Sequence, residues 1–225
     1  MPKTVDKEAL KEAIRLRILL KEFPPGEPID ENRLAREMGV SRTPVHDVVV
    51  ALLSEGVVDY ARNQGYKARA ADIYDMRGFL EAADTLFEPV MRLAAERRSP
   101  QDLDRITARL EAIEASRDEE ARPARIAALR GFLIACAAAS ANDSFERMMA
   151  IAIDRYLMLR IAAHDRATVA MQRREIDTVI ETCTALRDAI RDGDDEAAAT
   201  AVRTMLERAR DFFMAQLFTN TRAIA

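Results

Sequence analysis

A cluster of polar residues stands at the start of a predicted helix: Ser41, Arg42, Thr43 and His46. The helix begins after Gly39, because glycine readily adopts the left-handed conformation that ends a preceding helix, and Ser41 is a preferred N-cap residue. The apolar residues that follow recur on one face of the helix: Val45, Val48, Val49, Leu52 and Leu53. The other three polar side chains of the cluster therefore lie on the solvent face, where a DNA-recognition helix meets base edges and phosphates.

Two further helices are predicted before this one. Leu10, Ile14 and Ile18 recur every four residues, which indicates a first helix. Asp30 is a preferred N-cap for a short helix over Glu31–Met38. A capped amphipathic helix is by itself also typical of an ordinary protein core. Two helices joined by a short turn, with polar residues at the start of the second, are typical of a helix-turn-helix.

A β-hairpin is predicted after these helices. Val57–Tyr60 and Tyr66–Ala70 have the composition of short strands, and Asn63, Gln64 and Gly65 form the turn between them. Three helices and a hairpin make a winged helix-turn-helix, which we assign to residues 1–70. Gln64 and Gly65 stand at the tip of the wing.

Residues 71–225 form a second predicted domain that is entirely helical. We expect six or seven helices, and Pro89 either kinks or divides the first of them. Ser99 and Pro100 form a helix start signal, because serine caps the helix and proline suits its first turn. The predicted helices lie near Ile73–Arg97, Pro100–Ile113, Pro123–Ala139, Ser144–Ala163, Ala167–Arg191 and Asp195–Phe218.

Composition and charge exclude some classes of protein. No apolar run reaches the roughly 20 residues that cross a bilayer, and the N-terminus lacks an apolar signal region, so we expect a cytoplasmic protein without membrane contact. Residues 1–70 hold 12 Lys and Arg against 11 Asp and Glu, whereas residues 71–225 hold 22 against 27. This small asymmetry favours DNA contact by the first domain but does not decide it.

The helical domain lacks a recognisable catalytic set. His164 is its only histidine, and we expect a partly exposed imidazole near a helix end. Cys136 and Cys183 lie in apolar helical segments, which indicates buried thiols. Because no Ser/His/Asp or Cys/His arrangement is present, we predict that the chain is not an enzyme.

The run FPPGEPIDENRLAREMGVSRTPVHDVVVALLSEGVV, followed by NQGY, resembles the DNA-binding domain of the GntR family of bacterial transcription regulators. The resemblance covers about Leu10–Ala70. It implies that Arg42, Thr43 and the wing tip approach DNA and that Ser41 lies at a phosphate. Arg33 is also predicted to contact DNA. His46 stands where the family usually has arginine, and Asn32 stands where a related fatty-acid regulator has a DNA-contacting arginine. Neither reproduces the arginine fork that reads guanine.

Residues from about Asp72 to Phe218 resemble the helical FCD domain of one GntR subfamily, through RLAAE at Arg92–Glu96, SAND at Ser140–Asp143 and ALRDAIRDGDDEAA at Ala185–Ala198. That subfamily often holds a metal ion with an Asp and a His one turn apart and a His on each of two later helices. The four positions fall here on Leu129, Leu133, Cys183 and Met205. We therefore expect no metal and no other cofactor.

Two interpretations of the helical centre follow from this replacement. In the first, a pocket is lined by Leu129, Leu133, Met158, Cys183 and Met205. Its ligand is then apolar or acyl-type because no buried charge is available, as in metal-free fatty-acid regulators that bind acyl-coenzyme A. In the second, these side chains fill the centre and the protein is a ligand-independent dimeric DNA binder. The first predicts a homodimeric regulator of a palindromic operator in double-stranded DNA, controlled by a small-molecule effector.

Overall fold

Helices dominate residues 6–70 and 73–218, which are the residues that the computed structural model describes. The chain divides into two units, Met1–Ala71 and Asp72–Ala225. The first contains helices α1 (Lys7–Leu19), α2 (Glu31–Met38) and α3 (Arg42–Ser54) and strands β1 (Val58–Ala61) and β2 (Gly65–Ala68). The second contains α4 (Ile73–Arg97), α5 (Pro100–Glu114), α6 (Arg122–Ala138), α7 (Asp143–His164), α8 (Val169–Asp192) and α9 (Asp195–Phe218). This confirms a mainly α fold, with a winged helix-turn-helix before a bundle that has six α-helices in its described part.

The caps of α2 and α3 set the geometry of the helix-turn-helix. The Asp30 side chain accepts a hydrogen bond from the backbone N–H of Arg33 at 2.9 Å, which satisfies a free donor at the start of α2. Gly39 ends α2 with φ of 65°, a left-handed conformation that favours glycine. Ser41 is the N-cap of α3, but its side chain makes no capping hydrogen bond. The Ser41 hydroxyl is therefore not engaged at the helix start.

The core of the first unit holds α3 against the other elements. Val45, Val48, Val49 and Leu52 are buried on one face of α3. They pack with apolar residues of α1, α2 and the wing, such as Ile14. Burying one such side chain contributes roughly 1.5–3 kcal/mol. The burial of this face leaves the polar first turn of α3 directed to solvent.

The wing is an antiparallel hairpin in which Tyr60 pairs with Tyr66 and Ala61 with Gly65. Its strands begin at Val58 and Gly65, each one residue away from the predicted start. The turn closes through a hydrogen bond from the Gln64 N–H to the Ala61 carbonyl at 3.0 Å. The wing tip is therefore a tight loop that presents Gln64 to solvent.

The second unit packs around a long first helix. Helix α4 runs without a break through Pro89, so the proline does not divide it. Its main partner is α9, and α5 pairs with α6 and α8 with α9. Aromatic rings meet at the centre, with centroid distances of 6.4 Å for Phe79 and Phe87 and 6.2 Å for Tyr156 and Phe213. Within the described ranges, none of the helices is long and apolar enough to span a membrane.

Candidate functional sites

The first turns of α3 present the predicted DNA-contacting residues to solvent. Ser41, Arg42 and Thr43 are exposed, with 65% of the Arg42 side chain accessible. The His46 side chain lies one turn further along the helix and is 48% accessible. The arrangement leaves these groups free to approach a duplex, because the core holds only the opposite face of the helix.

A buried carboxylate joins two of these residues. Glu31 of α2 accepts a hydrogen bond from Nε of Arg42 at 3.0 Å, and its other oxygen lies 3.0 Å from Nδ1 of His46. The Glu31 side chain is 8% exposed, so it is fixed by its surroundings. Glu31 engages Arg42 through Nε, while 65% of the Arg42 side chain is exposed to solvent. Glu31 therefore orients the guanidinium while leaving donors for a base edge.

Glu31 is a candidate functional residue that the sequence analysis missed. It follows the N-cap Asp30, so its charge is typical of a first helical turn. The available signal was the spacing of Arg42 and His46, which lie one turn apart on the same face of α3 and can share one partner.

Aromatic contacts connect the wing to α3. The rings of His46 and Tyr66 meet edge to face with centroids 5.6 Å apart, and Tyr66 lies 5.4 Å from Tyr60. Tyr60 is 60% exposed. Since Gln64 and Gly65 lie at the tip of the same hairpin, these rings link the orientation of the wing tip to that of α3.

The predicted contact Arg33 is engaged by an acidic neighbour. Its Nε donates to Glu37 at 2.7 Å, and its guanidinium lies 6.0 Å from the ring centre of Phe23. Arg17 also donates to Glu37, at 2.5 Å. Arg33 is half exposed and Asn32 is exposed, so both stand on the outer surface of α2.

A charged cluster holds the far end of α3 against α1. Glu55, at the C-cap of α3, lies 2.5 Å from Arg15 and 3.1 Å from Lys11. Burial raises the pKa of the Glu55 carboxyl, but the Arg15 charge and the hydrogen bonds from Arg15 and Lys11 outweigh that effect. The pKa of Glu55 is therefore lower than its usual value of 4.5. This ionised cluster joins the C-terminal end of α3 to α1.

The second unit contains a cavity of about 340 Å³ between α7, α8 and α9. Its walls combine apolar side chains such as Val179, Met205 and Phe212 with the charged residues Arg160 and Arg174. A neighbouring cavity of about 20 Å³ is lined by Leu129 among others, and its volume suits about one water molecule. Only the larger space can take a small organic molecule.

Arg160 lies on the walls of both cavities and is 7% exposed. It forms an ion pair with Glu175 of α8 and donates to the Tyr156 hydroxyl at 2.7 Å. A carboxylate oxygen of Glu175 also lies 3.8 Å from Nδ1 of His164. The inference that no buried charge is available was therefore wrong, because periodicity does not show that an arginine pairs across two helices. His164 ends α7 as expected but is buried, at 6% exposure, since it packs at this cluster.

Sequence models of two families match the chain over nearly its whole described length. The model of the gntR family of bacterial regulatory proteins matches residues 6–67, and that of the FCD domain matches residues 72–208. The chain belongs to the GntR family and carries an FCD domain. It is therefore a DNA-binding transcription regulator and not an enzyme.

Individual relatives agree with this assignment. The transcriptional regulator Mce2R of Mycobacterium tuberculosis is 28% identical over 230 residues, which cover 93% of this chain and 92% of that protein. The Nta operon transcriptional regulator of Aminobacter aminovorans is 36% identical over 87 residues, covering 36% of this chain and 39% of that protein. The solved structure of E. coli McbR/YncC shares the fold with a TM-score of 0.77 at 19% identity, covering 94% of this chain and 98% of that one.

The side chains at the four metal positions of the FCD domain do not fit a metal ion. Leu129 and Leu133 are buried and offer no donor atom. Burial raises the pKa of the Cys183 thiol to about 12, and the nearby Arg160 charge only partly offsets this, so the thiolate that a metal needs is strongly disfavoured. Met205 adds one weak thioether donor.

The five predicted ligand-binding residues of this GntR regulator do not share one wall. Met205 lines the larger cavity and Leu129 the smaller one. Leu133, Met158 and Cys183 are buried and line neither of these two cavities. The residues that border the larger space beside Met205 come mainly from α8 and α9, and sequence analysis did not single them out.

Proposed function

We propose that this GntR regulator binds a two-fold operator as a homodimer, and that a small-molecule effector in its FCD domain changes its affinity for that operator. The proposal that the protein binds DNA through α3 is supported by the exposed guanidinium of Arg42, which Glu31 holds through Nε. A guanidinium with free terminal groups can read guanine in the major groove. Ser41 contacts a phosphate, while Thr43, His46 and the wing tip at Gln64 and Gly65 complete the surface.

The homodimer follows from the size of the recognition surface. One winged helix contacts only a few base pairs, which is too little sequence to define a unique operator. Two copies related by two-fold symmetry read two half-sites about one helical turn apart. The operator is therefore palindromic.

Substitution of Arg42 tests the recognition helix. Arg42→Ala should abolish specific operator binding while circular dichroism shows an intact fold, because the side chain is largely exposed. Arg105→Ala is the matched control, since Arg105 is an arginine of similar exposure, at 67%, in α5. Normal operator binding by Arg42→Ala would show that α3 does not read DNA through this residue.

The effector part of the proposal rests on the cavity beside Met205. Its volume of about 340 Å³ is near the lower end of the roughly 300–1,000 Å³ that small-molecule sites occupy, which favours a ligand of modest size. Its apolar walls favour an apolar or acyl-type body, and no metal takes part in the site. A ligand can change operator affinity only if it binds one dimer arrangement better than another.

A ligand-independent dimeric DNA binder is the alternative function. It is favoured by the tight burial of Leu133, Met158 and Cys183, which fill the centre of the bundle. Titration with long-chain acyl-coenzyme A, followed by calorimetry and by operator release, tests the acyl-type ligand. Heat of binding with release supports acyl-based control, whereas neither heat nor release favours the filled core.

A further inference from the structure

His46 has a hydrogen-bonding role that its contacts with α2 and the wing restrict. Its Nδ1 lies 3.0 Å from one carboxylate oxygen of Glu31, and the other oxygen of Glu31 accepts a hydrogen bond from Nε of Arg42. The His46 ring also meets the Tyr66 ring edge to face, with centroids 5.6 Å apart. The imidazole is therefore held by a carboxylate and by an aromatic ring, while 48% of the side chain stays exposed.

The contact with Glu31 decides which nitrogen of His46 carries the hydrogen. A carboxylate paired with a permanently charged guanidinium is ionised and can only accept, so the hydrogen between Glu31 and His46 belongs to Nδ1. In a neutral imidazole the second nitrogen, Nε2, then has no hydrogen and acts as an acceptor. Because the two nitrogens lie at different edges of the ring, Glu31 occupies the first without blocking the second.

We propose that His46 is a specificity-determining residue that accepts a hydrogen bond, through Nε2, from the amino group of an adenine or a cytosine in the major groove. This inference rests on the proposed function, because it names the bases that one side chain of that surface reads. Adenine and cytosine present an amino group in the major groove, whereas guanine and thymine present only acceptors there. An acceptor at Nε2 therefore selects an amino base at one position of each half-site and rejects a keto base.

Arg42 has the opposite preference, because its guanidinium carries donors only. It lies one turn before His46 on α3, and both side chains bond to the same carboxylate. A donor and an acceptor thus stand on one face of the recognition helix. The two bases that they read should differ in type, with a guanine facing Arg42 and an amino base facing His46. Glu31 is the positioning residue for both.

Selection from random DNA duplexes identifies the base that His46 reads. The full-length protein is used at pH 8, above the range in which histidine usually titrates. The position in question is the one whose base preference disappears in His46→Ala. We expect adenine or cytosine there for the parent chain and guanine for His46→Arg, because arginine only donates. A guanine or thymine preference of the parent chain, or a His46→Ala motif identical to the parent motif, would overturn the proposal.

Duplexes that lack single chemical groups test the same contact with the parent protein, so that no variant has to fold. Purine in place of adenine, or 2-pyrimidinone in place of cytosine, removes only the amino group. The parent chain should lose about threefold to tenfold in affinity per half-site, the contribution of one hydrogen bond. His46→Ala should show no such loss. The control is the 7-deaza form of the purine in the same base pair, which lacks an acceptor instead. A loss with the 7-deaza duplex alone would show that Nε2 donates, which contradicts the proposal.

Glu31→Gln tests whether the carboxylate sets the role of Nε2. A glutamine can accept from Arg42 with its oxygen and donate to Nδ1 with its amide, which moves the imidazole hydrogen to Nε2. We expect the base selected opposite His46 to change from the amino to the keto type, by a factor of about three or more. A merely structural Glu31 would weaken binding without changing the type of base, and that result would overturn its assigned role. Asp47→Asn is the matched control, because Asp47 is a half-exposed acid beside His46 whose ion pair is with Lys7.

The same selection separates this inference from the proposed function. If the parent chain enriches no sequence, or if Arg42→Ala enriches the same sequences as the parent chain, α3 does not read DNA and both proposals fail. A two-fold motif that depends on Arg42 but has a keto base opposite His46, or is indifferent to His46, keeps the proposed function and overturns only this inference.

Discussion

We propose that Glu31 sets the specificity of the DNA-binding surface, because it is the common partner of Arg42 and His46. A fixed arginine distinguishes guanine from other bases, whereas a freely rotating one mainly attracts phosphate. In this proposal, one buried carboxylate on α2 acts on base reading by α3 without touching DNA itself.

We predict that Glu31→Gln lowers the ratio of specific to non-specific affinity by about tenfold, the range of one bidentate base contact. The variant removes a negative charge near DNA, so binding to a scrambled duplex should become slightly stronger while operator binding weakens. Fluorescence anisotropy with both duplexes at several salt concentrations measures the two changes. Glu27→Gln, an exposed acid just before α2, is the control, and an unaltered ratio in Glu31→Gln would contradict the orienting role.

The cysteines of the FCD domain should be chemically inert in the folded protein. Cys136 and Cys183 are fully buried, and burial raises the pKa of both thiols, that of Cys183 to about 12. Only the thiolate reacts with iodoacetamide. We therefore expect no labelling at pH 8 in native conditions and two labels per chain in guanidinium, counted by mass spectrometry. Rapid native labelling of Cys183 would show that the centre of the bundle opens.

For single residues, the sequence predicted which side chains are exposed better than it predicted which side chains pair with each other. The exposed start of α3 follows from one helix alone, since the apolar face of Val45, Val48 and Leu52 determines which side chains point outward. The pairing of Glu31 with Arg42 requires the angle between two helices. The hydrophobic periodicity of each helix gives no information about the angle between the two helices.

At the scale of elements, the link between α1 and α3 depends on an ionised carboxylate. The folded pKa of Glu55 is depressed, so its ionised form contributes stability above the unfolded value near 4.5, and that contribution is lost as the pH falls through the folded pKa. Arg15, its main partner, is 3% exposed in its side chain, which makes the pair sensitive to removal of the acid.

We predict that Glu55→Gln lowers the free energy of unfolding of the first unit by about 1–3 kcal/mol at pH 7. The difference from the parent chain should shrink as the pH falls below 4.5, because the unfolded parent binds a proton at Glu55 there and the folded state does so at its lower pKa. Hydrogen exchange of peptides from α1 and α3, corrected for intrinsic rates, measures this in the full chain. Glu8→Gln removes the other, more exposed acid beside Lys11 and should have little effect. A deficit that persists undiminished at pH 3.5 would mean that the Glu55 charge is not responsible.

Helix ends followed from capping residues, but the effect of Pro89 did not. Asp30, Gly39 and Ser99 are caps whose local chemistry ends or begins a helix in almost any context. A proline inside a helix removes one hydrogen bond and costs about 3 kcal/mol in isolation. Helix α4 stays continuous because residues around Pro89, such as Phe87 and Val90, are fully buried against neighbouring helices. That compensation is tertiary and invisible in a local pattern.

At the scale of the whole molecule, the two matched families assign one task to each unit. The GntR part carries the DNA-binding winged helix, and the FCD part carries the cavity with its buried arginine. The division was foreseeable from the change in pattern near residue 70, since strand signals stop there. The cavity was not, because its walls come from α7, α8 and α9 and depend on how those helices pack.

Operator geometry tests the proposed dimer. If two copies of the recognition helix are held in one symmetric assembly, both major-groove half-sites must face the same side of the duplex. Insertion of five base pairs between the half-sites turns one of them to the opposite face, and we expect a loss of at least about a hundredfold in affinity, the contribution of a second specific head. Insertion of ten base pairs returns both half-sites to the same side of the duplex but increases the distance between them. Affinity should therefore recover only if the two DNA-binding domains of the dimer can move apart. The same duplexes with one half-site scrambled are the control, and equal affinity for the original and the five-pair insertion would exclude a fixed two-headed complex.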